Sequence, residues 1–165
     1  MMDGSRVPRR QALKALGALG VGAAAGGLVP TSRARAQAPT FGQNESVQDA
    51  MKRLFGGKTI KDGSAVIKFD IPLIAENGSV VPVAVNVDSP MTASSYVKHI
   101  YVVADKNRIP VVTRVTLTPE AGKASVGANI RLGETGEVRA IVEQSDGTLL
   151  QVAREVKVTV GGCGG

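Results

Sequence analysis

The sequence has no tryptophan, a single cysteine and a single histidine, and aromatic side chains make up only 3% of its 165 residues. With one cysteine no intrachain disulfide can form, so the thiol of Cys163 is free, joined to another molecule, or chemically loaded. A lone thiol also supplies too few ligands for a structural metal site. His99 sits between Lys98 and Ile100 in an alternating pattern with no acidic cluster beside it, and reads as structural rather than as a general base. Lack of tryptophan and of a second cysteine excludes an antibody-type core, so valine and isoleucine must fill the interior. No apolar run reaches the about 20 residues a membrane span needs. The best candidate, residues 15–29, is short and broken by glycines.

The formal charge of +6 would invite a nucleic-acid or membrane-surface partner, but the charge is unevenly placed. Residues 1–36 hold Arg6, Arg9, Arg10, Lys14, Arg33 and Arg35 against Asp3, which leaves 14 basic and 13 acidic side chains in the rest. The basicity belongs to this leader, so neither a nucleic-acid partner nor stable membrane insertion is expected. A basic stretch, an apolar stretch and then Ala34-Arg35-Ala36 form the layout of a cleaved secretion signal. Cleavage after Ala36 leaves 129 residues, enough for one domain and one core. Arg9-Arg10-Gln11-Ala12-Leu13-Lys14 resembles the twin-arginine export motif, departing from it at Pro8 and Ala12; that route carries folded proteins, sometimes with a companion attached.

In the remaining residues, 37–160, Val47, Ala50, Met51 and Leu54 recur at helical spacing. They predict one amphipathic helix over about 44–55, with Asn44 or Ser46 as N-cap and Gly56-Gly57 as its stop. Beyond it the period becomes two. Strand-like runs cover residues 66–71, 81–87, 96–104, 109–117, 125–132, 138–143 and 149–160, separated by turn signals that include Glu76-Asn77-Gly78-Ser79, Asp105-Lys106-Asn107 and Ser145-Asp146-Gly147. Seven short strands and one helix predict a mainly β fold, an antiparallel sandwich of immunoglobulin-like type. Asp70, Asp88 and Asp146 flank turns, where carboxylates cap backbone groups, and are not taken as a catalytic set. Asn77-Gly78-Ser79 matches a glycosylation sequon and is read as a hairpin turn.

The last predicted strand leads into Gly161-Gly162-Cys163-Gly164-Gly165. Val152, Val156, Val158 and Val160 share one face of that strand, with Arg154 interrupting, and the chain is expected to leave the sheet after Val160. Five residues extend about 16–18 Å at 3.3–3.6 Å each, enough to carry a sulfur into another protein's pocket. Cys163 is third from the end, which rules out prenylation, where the cysteine stands fourth from the end. An ordinary thiol, with a pKa of about 8.5, is only a few per cent ionised at neutral pH. No Lys, Arg or His lies within five residues of Cys163. The sulfur therefore needs activation from a partner, and it serves either as a covalent attachment point or as an intermolecular disulfide.

The ending Lys157-Val158-Thr159-Val160-Gly161-Gly162-Cys163-Gly164-Gly165 resembles the carboxy-terminal signature of the SoxY family of bacterial thiosulfate-oxidising systems. Weaker likeness runs through Ile130-Arg131-Leu132-Gly133-Glu134-Thr135, Ser145-Asp146-Gly147 and Arg154-Glu155. The resemblance implies a periplasmic, non-enzymatic sulfur carrier without a resident cofactor, paired with a SoxZ-type subunit. It implies that thiosulfate-derived sulfur is bound covalently at Cys163, with Gly161, Gly162, Gly164 and Gly165 as a slender tether. The implied partners are a haem enzyme that joins thiosulfate to the thiol, a hydrolase that releases sulfate, and, where one is present, a sulfane dehydrogenase. The reading from another class is a secreted structural or adhesive β-domain cross-linked through Cys163. A thiol redox enzyme is disfavoured, because the sequence holds no resolving cysteine.

Overall fold

A computed structural model describes residues 44–162. The leader, its cleavage site and residues 37–43 lie outside the described residues, as do Cys163, Gly164 and Gly165. The elements in order are α1 (Val47–Phe55), β1 (Ile60–Asp62), β2 (Ile67–Asp70), β3 (Ile74–Asn77), β4 (Val81–Val87), β5 (Val97–Ala104), β6 (Val111–Thr116), β7 (Ala124–Ile130), β8 (Gly136–Gln144) and β9 (Leu149–Val160), with a 3-10 turn at Pro119–Ala121.

The helix begins at Val47, because Ser46 adopts an extended backbone and its hydroxyl accepts the Asp49 N–H. Asn44, the other candidate cap, stands earlier in a left-handed conformation. Gly56, at φ 61°, ends the helix in the left-handed turn a glycine accommodates best. Of the basic pair on the helix surface, Arg53 is ion-paired with Glu45.

Two sheets form the expected mainly β sandwich. One has the order β2-β4-β7, all antiparallel. The other runs β1-β9-β8-β5-β6, with β3 also paired to β9. Two short strands, β1 and β3, were not legible as strands, and both run parallel to β9 where only antiparallel pairing was expected. β1 pairs with the first three residues of β9 and β3 with its last part, from Lys157 to Val160. β8 spans the stretch from Leu149 to Val156.

Valine and isoleucine do fill the interior. Val81, Val83 and Val85 from one sheet meet Ile100, Val102, Val138, Val142, Val152 and Val156 from the other. Every residue of β5 except Lys98 is buried, because its second face lies under the helix. There Ala50 and Phe55 pack on Tyr101, Val103, Ile141 and Leu149. The Phe55 ring meets Tyr101 edge-on, with centroids 5.2 Å apart. Three layers thus rest on few aromatic rings, because β-branched side chains stand well on a pleated surface.

Removing Phe55 would uncover this contact. A Phe55→Ala variant is expected to lose about 3–5 kcal/mol in urea unfolding, and Lys52→Ala, on the exposed side of the same helix, less than about 0.5 kcal/mol.

Candidate functional site

The stretch that precedes Cys163 in the sequence is built by β9 and by the two segments that meet its end. Burial declines along the strand: Val152 and Val156 are in the core, Val158 is half-buried and Val160 is 62% exposed. The valine face predicted from the sequence therefore stops contributing to the interior before its last member. Past Val156, β9 outruns β8 and is held by β3, with the Lys157 N–H donating to the Leu73 carbonyl at 2.9 Å. The Val158 N–H donates to the Thr135 hydroxyl at 2.9 Å.

At Val160 strand pairing ends, but the chain does not leave the body there. The Gly78 N–H donates to the Val160 carbonyl at 2.7 Å, the Leu132 N–H to the Gly78 carbonyl at 2.8 Å, and the Gly162 N–H to the Leu132 carbonyl at 2.9 Å. Three backbone segments are linked in series, and Gly162 is buried at their meeting point. The chain thus stays bonded to the body for two residues beyond Val160, where the alternation of side chains had it leaving the sheet.

These segments approach too closely for side chains. A Cβ on Gly162 would lie 2.6 Å from the Gly78 carbonyl oxygen and 2.8 Å from the Ser79 Cα. On Gly78 it would overlap the Leu132 oxygen and lie 2.8 Å from the Gly162 nitrogen, and on Gly161 it would overlap the Gly133 oxygen. None of the three has a positive φ, so the need is for space rather than for an unusual backbone conformation. Of the five tail residues singled out in the sequence, Gly161 and Gly162 are thus packed against Gly133 and Gly78. Cys163, Gly164 and Gly165 lie outside the described residues.

Asn107 fixes the third segment. Its buried side chain donates to the Arg131 carbonyl at 2.7 Å and accepts from the Gly133 N–H at 3.0 Å, holding the residues on either side of Leu132. Asn77 makes the turn before Gly78, its carbonyl oxygen accepting the Ser79 N–H at 2.9 Å. Gly78 is therefore a turn residue, as its sequence context suggested, but also a packing element of the tail's root. Asn107, Thr135 and the structural part of Gly78 escaped the sequence reading; each acts on residues more than 20 positions away, with no periodic signal.

The remaining candidates stay apart. Asp70 closes β2 and Asp88 follows β4, at opposite ends of their antiparallel pair. Asp146 accepts the Thr148 N–H and hydroxyl in the β8–β9 turn, which holds its carboxyl below the usual range. His99 is buried on β5, its Nδ1 3.0 Å from the Thr116 hydroxyl and its ring 5.8 Å from that of Tyr101. Burial and then the Arg114 charge push it below the ordinary histidine value, with Glu143 opposing.

The SoxY family model, described as sulfur oxidation protein SoxY, matches residues 51–163. The chain belongs to the SoxY family. It is similar to the sulfur carrier protein SoxY from Chlorobium limicola f thiosulfatophilum, with 31% identity and a TM-score of 0.58 over 70% of this chain and 97% of that one. Two further likenesses concern the fold alone. A superoxide reductase (neelaredoxin) from Ignicoccus hospitalis has 20% identity and a TM-score of 0.50 over 69% of this chain and 99% of its own. A putative superoxide reductase from Thermotoga maritima has 17% identity and a TM-score of 0.51 over 61% and 92%. No curated protein matches the sequence. The family match ends at Cys163, so this SoxY-type chain carries the root and its cysteine as parts of the same matched region.

Two outcomes follow from this geometry. Gly78→Ala is expected to cost about 1–3 kcal/mol and to raise hydrogen exchange at the Gly162 amide, whereas Gly127→Ala, with open space around it, leaves both unchanged or stability slightly raised. His99, the single histidine, takes its proton at about pH 6.5 in the unfolded chain but only at lower pH when folded. Stability is therefore full above that value and falls as the pH drops below it. The urea midpoint should decline from pH 7.5 to 5.5, and His99→Gln should flatten the decline.

Proposed function

We propose that this chain is a covalent sulfur carrier of the bacterial periplasm, with substrate held through the Cys163 thiol and presented to other enzymes. The observation that carries the reading is the root: Gly162 is held by a backbone bond to Leu132, and the chain's one cysteine is the next residue. Family membership and the likeness to a sulfur carrier support the same conclusion.

In this reading the chain contributes position and no catalysis. Gly161 and Gly162 root the arm, and Gly164 and Gly165 keep the sulfur's far side free of side chains. Attachment of thiosulfate joins its terminal sulfur to the Cys163 sulfur. The thiol proton leaves and two electrons pass to a haem-containing enzyme. Water then splits the bond between the outer sulfur and the sulfonate sulfur, releasing sulfate and one proton and leaving a protonated persulfide on Cys163. A sulfane dehydrogenase, where one is present, oxidises what remains. A SoxZ-type subunit completes the working carrier, and the twin-arginine leader brings the folded pair across the membrane before it is removed.

The test is a Cys163→Ser variant, supplied with its companion subunit to thiosulfate-oxidising cells lacking the native gene. Thiosulfate oxidation should fall to background, at least about a hundredfold, with unfolding free energy within about 0.5 kcal/mol of the parent. Mass analysis of the parent's terminal peptide should find thiosulfate-derived adducts. Retained oxidation would remove the carrier mechanism, and a mass that is only a reducible dimer would favour a cross-linking β-domain.

A further inference from the structure

The sequence holds five asparagines, and only Asn77 is followed by a glycine. In an open chain that pair is chemically unstable. The nitrogen after the asparagine attacks the side-chain carbonyl carbon, and a glycine puts no side chain in its way. Asn77 is exposed, so water and base reach it. Two hydrogen bonds nevertheless restrain the reacting groups. The Gly78 N–H, whose nitrogen is the nucleophile, donates to the Val160 carbonyl at 2.7 Å. The Asn77 side-chain oxygen, on the carbon to be attacked, accepts the Ser79 N–H at 2.9 Å.

The reaction consumes what restrains it. The Gly78 nitrogen loses its proton to base and bonds to the Asn77 side-chain carbon, whose bond to the amide nitrogen breaks, releasing ammonia. Water then opens the cyclic imide, and no electrons are exchanged. Opening at the side-chain carbonyl leaves aspartate. Opening at the main-chain carbonyl leaves isoaspartate, in which the backbone runs through the former side chain and is one carbon longer. The imide nitrogen bears no hydrogen, so its bond to Val160 is lost. The longer chain then displaces Gly78 from a place where the Leu132 oxygen and the Gly162 nitrogen leave no room even for a Cβ.

We propose that Asn77 is a site of spontaneous deamidation and isomerisation, held unreactive by the linkage of Gly78 to Val160, Leu132 and Gly162, and that isoaspartate at this position breaks the linkage for good. The lock guards the residue, and the residue's reaction removes the lock. A chain whose root has stayed open is thereby marked with a new carboxylate and does not regain the Gly162 bond.

The test incubates the purified chain in mildly alkaline buffer made with heavy-oxygen water, folded or unfolded in urea. The peptide carrying Asn77 is followed by mass, and fragmentation separates isoaspartate from aspartate. The folded parent should react at least about tenfold more slowly than the unfolded chain, since reaction draws on the open fraction alone. Gly162→Ala, whose Cβ would press on Gly78 and Ser79, should react about tenfold faster than the folded parent, the rise in open population that a loss of about 1.4 kcal/mol gives. The isoaspartate fraction should lose hydrogen-exchange protection at the Gly162 amide at least about tenfold, whereas Asn77→Asp, with the new charge but not the extra carbon, keeps it within about twofold. Equal rates in the folded and unfolded parent would overturn the guarding role. So would a Gly162→Ala variant that reacts at the parental rate, since protection would then come from the turn alone. A Gly162 amide still protected in the isoaspartate form, or equally unprotected in Asn77→Asp, would overturn the consequence assigned to the longer backbone.

Discussion

The close meeting of three backbones, with no side chains between them, is the constraint on which the end of β9 and the residues after it depend. Gly78, Leu132 and Gly162 are joined by hydrogen bonds of 2.8 and 2.9 Å, and a further bond of 2.7 Å ties Gly78 to Val160. The bonds themselves are of ordinary length, but the neighbouring backbone leaves no room for a Cβ at Gly78, Gly161 or Gly162. Such bonds also leave few polar groups unmet at a chain segment that has left its sheet. The lock therefore spends three glycines to hold a segment without giving it bulk.

The sandwich supports this lock from behind. β9 is the strand against which β8, β1 and β3 all pair, so the element leading to the cysteine is the most widely connected strand of its sheet. Its first half is anchored by Val152 and Val156 in the shared core, and its second half by β3 and Thr135 at the rim. The helix contributes at one remove: it covers the outer face of β5 and β8, and these strands carry β9. Fold and site are linked by a gradient of burial that runs down one strand, from a packed interior to an exposed rim.

Much of this was legible in the residues. Alternation of valine with polar side chains gave β4 and β9 to the residue, and helical spacing with Ser46 and Gly56 placed α1. The strands that escaped are those with no alternation to display. β1 is three residues long, and β3 lies between Pro72 and a turn, with only Ala75 buried in its span. Their parallel pairing is a tertiary choice: each is a short strip of backbone recruited by β9, whose sequence encodes the pairing more strongly than theirs does. At the site, the glycines announced a slender tail, but slenderness has two uses that composition cannot separate. Threading another protein's pocket would be one; fitting against Gly133 and Gly78 is the other, and Gly161 and Gly162 do this. Asn107 could not be told from an ordinary turn residue, because what sets it apart is a pair of bonds to residues 24 and 26 positions onward.

The parallel register of β3 on β9 has a mechanical consequence. A force drawn outward from the carboxy-terminal end of β9 loads that strand along its own axis. The bonds from Lys157 through Val160 to β3 lie across that axis and are loaded together in shear, not opened one after another like a zipper. Beyond them, among the described residues, the Gly162 N–H is held by its bond to the Leu132 carbonyl. The paired strand thus acts as the stop for any pull on the residues beyond it.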